Sequence, residues 1–189
     1  MDIHIIKNPD CIDVLVNKIN KLPDNYIPND LLPISSTFSD GMQFLRKEAK
    51  YQFEKMCGDA KIDGYNIIAV STFRSSDYQE KLFNEYCLSK GYDYAFMCSA
   101  KKGHSEHQTG LAVDVSDSIL DYNDFIDTKE FEWMKDNSYK YGFILRYPKF
   151  KSDITGFKFE PWHYRYVGDK IARKLYKDNI TFEEYKKSF

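Results

Sequence analysis

The chain contains four histidines, and three of them, His104, His107 and His163, stand in two short segments, GHSEHQTGLAVD and EPWH, beside Glu106, Asp114 and Glu160. Two imidazoles and one carboxylate form a ligand set of the kind a catalytic zinc ion takes, with a fourth position kept for water. A further carboxylate can then act as general base toward that water and return the proton to a leaving amine, which is amide hydrolysis. His107, Asp114 and His163 are the candidate ligands and Glu160 the candidate base. The pair His104-x-x-His107 offers an alternative set in which His104 ligates and Asp114 does not, and spacing alone leaves both open. Arg74, just after a short apolar run, is the candidate partner for a developing oxyanion or a substrate carboxylate.

These roles impose conditions on the backbone. An extended chain would hold His107 and Asp114 roughly 23 Å apart at about 3.3 Å per residue, so the chain must reverse between them. Gln108-Thr109-Gly110 supplies a turn, because glycine accepts the positive φ of a tight reversal. Glu160 and His163 are three apart and would face opposite sides of a regular strand. A kink or bulge at Pro161-Trp162 would bring both into one cleft.

The surrounding pattern predicts an α+β single domain: a small antiparallel sheet carrying the site, flanked by helices, with an extended arm over residues 1–38 packed on a catalytic unit of residues 39–189. The arm is read from Leu22-Pro23, Ile27-Pro28 and Leu32-Pro33, where each proline removes a donor and extends its predecessor. Met42, Leu45, Ala49, Phe53 and Met56 recur at helical spacing and predict a helix from Ser39 to Gly58. NIIAVS predicts a strand, and Ser76-x-x-Gln79 a capping box opening a helix over 78–89. LAVDV predicts a strand, 128–140 a helix, 143–147 a strand, 157–167 two strand halves split at Pro161, 169–177 a helix, and Thr181 a capped turn.

Composition narrows the partners. A hydrophobic share of 42% supplies a core without a structural metal, so a metal here would be chemical in purpose. A net charge of −2, with no basic block, excludes the concentrated cationic face that nucleic acid requires. The four cysteines form no C-x-x-C pair and read as free thiols. The opening MDIHIIKNPDCIDVLVNK lacks a basic leader with an apolar stretch, and no segment reads as membrane-spanning. A cytoplasmic monomer is the expectation.

The segments Leu15-Val16-Asn17-Lys18, Phe73-Arg74-Ser75 with Gln79, Ser105 to Asp114, Tyr141 to Pro148 and Glu160 to Gly168 together resemble the zinc D-alanyl-D-alanine carboxypeptidases of the VanY-like type. That family lies within a wider group that includes lysostaphin-type and sonic-hedgehog-type zinc domains. Its patterns S-x-H-x-x-G-x-A-x-D and E-x-W-H are complete at Ser105–Asp114 and Glu160–His163. The resemblance implies that His107, Asp114 and His163 hold one zinc ion, that Glu160 is the base, that Arg74 stabilises the oxyanion, and that His104 lies outside the ligand set. It places Arg74, Ser105 and Gln79 on the substrate-binding wall. The implied substrate is a peptidoglycan stem peptide or precursor, cut as a D,D-carboxypeptidase; the alternatives are an L,D-carboxypeptidase on tetrapeptides, a D-Ala-D-Ala dipeptidase, or an inert binding module. Lys102 departs from the family pattern and is expected to add a positive charge at the substrate rim.

Overall fold

The computed structural model describes residues 2–117 and 121–188. The first third of the chain forms two small ribbons. Strand β1 (His4–Ile5) pairs in parallel with β2 (Asn20–Lys21), and β3 (Leu31–Pro33) pairs antiparallel with β4 (Phe44–Arg46). Helix α1 (Lys47–Ile62) follows, then strand β5 (Ile68–Ser71), helix α2 (Ser76–Lys90) and helix α3 (Tyr92–Cys98). Strand β6 (Ala112–Ser116), helix α4 (Lys129–Asn137), strand β7 (Phe143–Leu145), the short helix α5 (Ser152–Thr155) and strand β8 (His163–Tyr166) come next. Helices α6 (Asp169–Asp178) and α7 (Phe182–Lys187) complete the described chain. Strands β5, β6, β8 and β7 lie side by side in that order, every pair antiparallel, so the fold is the mixed α/β arrangement of a small antiparallel sheet flanked by helices.

Burial explains which elements hold the sheet in place. Ala49, Phe53, Met56 and Ala60 fall on one face of α1 and pack with Val113, Val115, Phe143, Tyr164 and Tyr166. This is the i, i+3/i+4 stripe of an amphipathic helix laid on a sheet. A second cluster on the far side joins Ile144 and Val167 to Ala172, Leu175 and Phe182 of the last two helices. Strands β6 and β8 are buried along their whole length, and hold Asp114, His163 and Arg165 among apolar neighbours.

Several expectations change in detail. Helix α1 starts at Lys47, not Ser39, because residues 44–46 are taken up by pairing with the proline-rich segment; Met42 is exposed and Gly58 lies inside the helix in open space. Ser75, not Ser76, caps α2: its Oγ accepts from the Tyr78 amide, while the Ser76 hydroxyl donates to the Asp24 carbonyl. Residues 157–159 are not a strand half; they run alongside the cavity described below, and only His163–Tyr166 joins the sheet. Helices α3 and α5 carried no sequence signal. The capping box at Thr181 is present in full.

The predicted reversal occurs at Gly110, which sits in the left-handed region at φ 65° and ends the 3-10 turn Glu106–Thr109. A Cβ there would lie 2.7 Å from Leu31 Cδ2 and 3.1 Å from Arg46 Cγ. Gly110→Ala combines left-handed strain with a clash and is expected to destabilise the fold by about 2 kcal/mol. Urea denaturation measures this, and a change within about 0.5 kcal/mol, the range of neutral surface substitutions, would contradict it.

Candidate metal centre

The register of β6 against β8 sets Asp114 directly opposite His163. One carboxylate oxygen of Asp114 lies 2.8 Å from His163 Nδ1, and the other 3.3 Å from His107 Nε2. His107 arrives from the 3-10 turn, where the Ser105 hydroxyl accepts from its amide and its carbonyl accepts from the Arg74 amide. Ligand atoms of His107, Asp114 and His163 all fall within 4.8 Å of one another, and all three residues are buried. His104 stands apart: its Nδ1 lies 2.8 Å from the Asn17 carbonyl oxygen, and it does not join the cluster.

Both imidazoles are oriented from behind. His107 Nδ1 lies 2.6 Å from the Thr72 carbonyl, which can only accept, so Nδ1 carries the proton and Nε2 presents its lone pair to the cluster. His163 Nε2 faces Glu106 Oε2 at 3.5 Å, which directs Nδ1 to the same point. Backing a ligand imidazole with a carbonyl or carboxylate is the usual outer arrangement of metal histidines. His107 Nε2 is buried and has no hydrogen-bond partner among the described residues, although a buried polar atom is normally paired. Two nitrogens and a carboxylate oxygen suit zinc. Bonds of about 2.0–2.1 Å in a tetrahedron would set neighbouring donors roughly 3.3 Å apart; here His163–Asp114 is 2.8 Å, His107–Asp114 is 3.3 Å, and all three donors fall within 4.8 Å of one another. The residues fit the ion.

Electrostatics separate the carboxylates of Asp114 and Glu160. Burial alone would raise the pKa of Asp114, but His107 and His163 outweigh it and hold the carboxyl well below its ordinary range. Glu160 moves the other way: burial pushes it up to about 7, Asp114 adds to the rise, and His163 and Arg74 only partly offset it. A carboxylate poised there can both take and return a proton near neutral pH. Its position follows from a reversal at Pro161-Trp162, closed by the His163 amide donating to the Glu160 carbonyl at 3.2 Å. Proline fixes the turn and resets the alternation, so Glu160 and His163 line one cavity.

That cavity, about 240 Å³, is also lined by Arg74, Gln79 and Ser105. An Arg74 Nη2 lies 3.4 Å from Asp114, and its Nε is buried without a partner. The Gln79 amide donates to the Ser99 hydroxyl and, at 2.8 Å, to the Ala100 carbonyl. Its orientation is thereby fixed, with a buried and unpaired Oε1. A cationic donor and a neutral acceptor thus share the cavity wall with the metal cluster. Lys102 does not reach the rim: its ammonium is tied to Asp77 at 2.7 Å and Glu80 at 3.0 Å, away from the residues lining the cavity.

Sequence reasoning missed the support of the site. Glu106, given no role from the sequence, is fully buried and accepts from Arg146 Nε at 2.8 Å and Arg165 Nη1 at 2.9 Å, and Arg146 in turn grips Glu183. Tyr147 stacks on His163 with ring centroids 5.0 Å apart. The available signal was the presence of two arginines inside otherwise apolar strand segments, since buried charges demand partners. Isothermal titration with zinc should show one site in the unchanged protein and in His104→Ala, and loss of binding by at least about 100-fold in His107→Ala. Equal losses in the two variants would contradict the ligand set.

Known proteins bear on this geometry. Residues 42–169 match the family model VanY, D-alanyl-D-alanine carboxypeptidase. The YodJ protein of Bacillus subtilis (strain 168) is 44% identical over 187 residues, 95% of this chain and 68% of that one. The solved structure of the LdcB LD-carboxypeptidase superposes with a TM-score of 0.91 at 43% identity, covering 98% of this chain and 90% of that one. A variant of the vancomycin-resistance D,D-pentapeptidase VanY, solved with Zn(II), has a TM-score of 0.79 at 32% identity, covering 92% and 97%. With the family model spanning most of the chain and both signature motifs folded into one cluster, this chain belongs to the VanY family of carboxypeptidases.

Proposed function

We propose that the chain is a zinc carboxypeptidase that releases the C-terminal D-alanine of peptidoglycan stem peptides. The observation that carries this is the convergence of His107, Asp114 and His163 with Glu160 and Arg74 on a single cavity. When bound, zinc supplies a Lewis acid and lowers the pKa of water. Glu160 takes a proton from the attacking water and hands it to the leaving D-alanine nitrogen; its raised pKa matches that double duty. Arg74 offers its guanidinium to the oxyanion or to the terminal carboxylate. Gln79, locked with its oxygen unpaired, accepts from a substrate N–H, and Ser105 holds the His107 turn while lining the same wall.

The reading of the sequence put the D,D bond first. The LdcB likeness, at higher identity and TM-score than the VanY structure, supports cleavage after an L-centre in a tetrapeptide instead. The D,D bond is the second reading, supported by the family model's description. Mass analysis of zinc-loaded protein incubated with tetrapeptide, pentapeptide and free D-alanyl-D-alanine separates them. Loss of one D-alanine from the tetrapeptide is expected; exclusive cutting of the pentapeptide would establish the second reading, and intact peptides throughout would favour an inert binding module.

Glu160→Ala should keep zinc and lose turnover by about 10³-fold or more, the scale of a positioned acid–base group. Activity within about tenfold of the unchanged protein would remove Glu160 from the mechanism. Gln79→Leu should raise KM about five- to tenfold with kcat little changed, as befits one neutral hydrogen bond made equally in ground and transition states. An unaltered KM would show that Gln79 does not touch substrate.

A further inference from the structure

The cluster is supported by a buried chain of charges that runs from the cavity to the last helix. Glu106 Oε1 accepts from Arg146 and Arg165, leaving Oε2 for His163. Arg146 extends its other two nitrogens to Glu183 in a forked pair, Nη1 to Oε2 at 2.8 Å and Nη2 to Oε1 at 2.6 Å. Arg146, Arg165 and Glu106 expose essentially no side-chain surface, and Glu183 exposes 5%. Arg165 is held from the opposite side by the carbonyls of Ile12 and Val14 at 2.9 and 2.8 Å. Helix α7 is clasped to the same arm by Lys186 on Asp13 at 2.5 Å.

Two arginines and two glutamates balance in charge, and each arginine has a fixed planar fork, so the group admits few arrangements. Two apolar strands would pack well without it, and buried ion pairs are on balance poor stabilisers. What the chain does supply is a single orientation for the carboxylate behind His163. An imidazole that can rotate binds a metal less well, and losing such outer partners typically weakens affinity by 10–100-fold.

We propose that Glu183, on the terminal helix and outside the cavity, is a positioning residue that holds the ligand His163 in place through Arg146 and Glu106. This rests on the metallopeptidase reading, and it extends the site to a helix that contributes no ligand.

The test is the zinc dissociation constant, measured by competition with a chromophoric chelator, on folded protein checked by circular dichroism. Glu183→Gln preserves shape and removes the charge; it should raise the constant about tenfold, Glu106→Gln should raise it at least as much, and the double variant should be no weaker than Glu106→Gln alone. Leu175→Ala, in the apolar cluster beside α7, is the control for plain destabilisation: it should lower the melting temperature of the metal-free protein and leave the constant within about twofold. Glu183→Asp keeps the charge and should recover part of the affinity, and it serves in place of Glu183→Gln if that variant does not fold. In cobalt-substituted protein, Glu183→Gln should also shift the visible ligand-field bands. An unchanged constant and unchanged bands in Glu183→Gln, or losses that multiply in the double variant, would overturn the proposal. Absence of zinc binding by the unchanged protein would overturn the metallopeptidase reading itself, and this inference with it.

Discussion

The antiparallel pairing of Asp114 on β6 with His163 on β8 is the constraint on which the site depends. Side chains alternate across a sheet, so a slip of one residue in this register would turn one of the two away from the other. The pairing is locked on both flanks. Ala112 and Val113 pair with Arg165 and Tyr164, β7 closes the other edge of β8, and α1 packs its apolar stripe over the result. His107 needs only a reversal at Gly110 to meet the pair, and Glu160 only a turn at Pro161.

The site works as an arrangement of charge in a setting where water does not screen it. Asp114 is kept ionised by two imidazoles while Glu160, far along the chain but on the same cavity wall, has its pKa pushed up to about 7. Environment sets the pKa of each carboxylate, and environment separates the proposed ligand from the proposed base. Of the five buried side-chain polar atoms without a partner among the described residues, three, His107 Nε2, Arg74 Nε and Gln79 Oε1, belong to residues that line one cavity. Unpaired polar atoms are costly in a folded chain, and their concentration here marks where the protein engages something other than itself.

Much of this was legible from residue types. Donor chemistry and the reach of an extended chain pointed to a histidine–carboxylate cluster, a nearby base and a turn at Gly110, the family resemblance named His107, Asp114, His163 and Glu160, and the structure places those four side chains on one cavity. The choice between His104 and Asp114 was open on spacing, because both lie within reach of a turn; the hydrogen bond from His104 to the Asn17 carbonyl explains why it faces away. Local patterns misled where a tertiary partner intervened. Met42 and Leu45 have helical spacing, yet pairing with residues 31–33 draws 44–46 into a strand. Ser76 matches a capping box, yet its hydroxyl is used by Asp24 and the cap falls to Ser75. The Glu106–Arg146–Arg165–Glu183 group joins residues dozens of positions apart, and no periodicity encodes such contacts.

The ligand set is the claim that everything else assumes. X-ray absorption at the zinc K-edge of the metal-loaded protein reads it directly. The account predicts a first shell of light atoms at about 2.0–2.1 Å, with outer-shell scattering from two imidazoles. Scattering from three imidazoles, or a sulfur at about 2.3 Å, would contradict it.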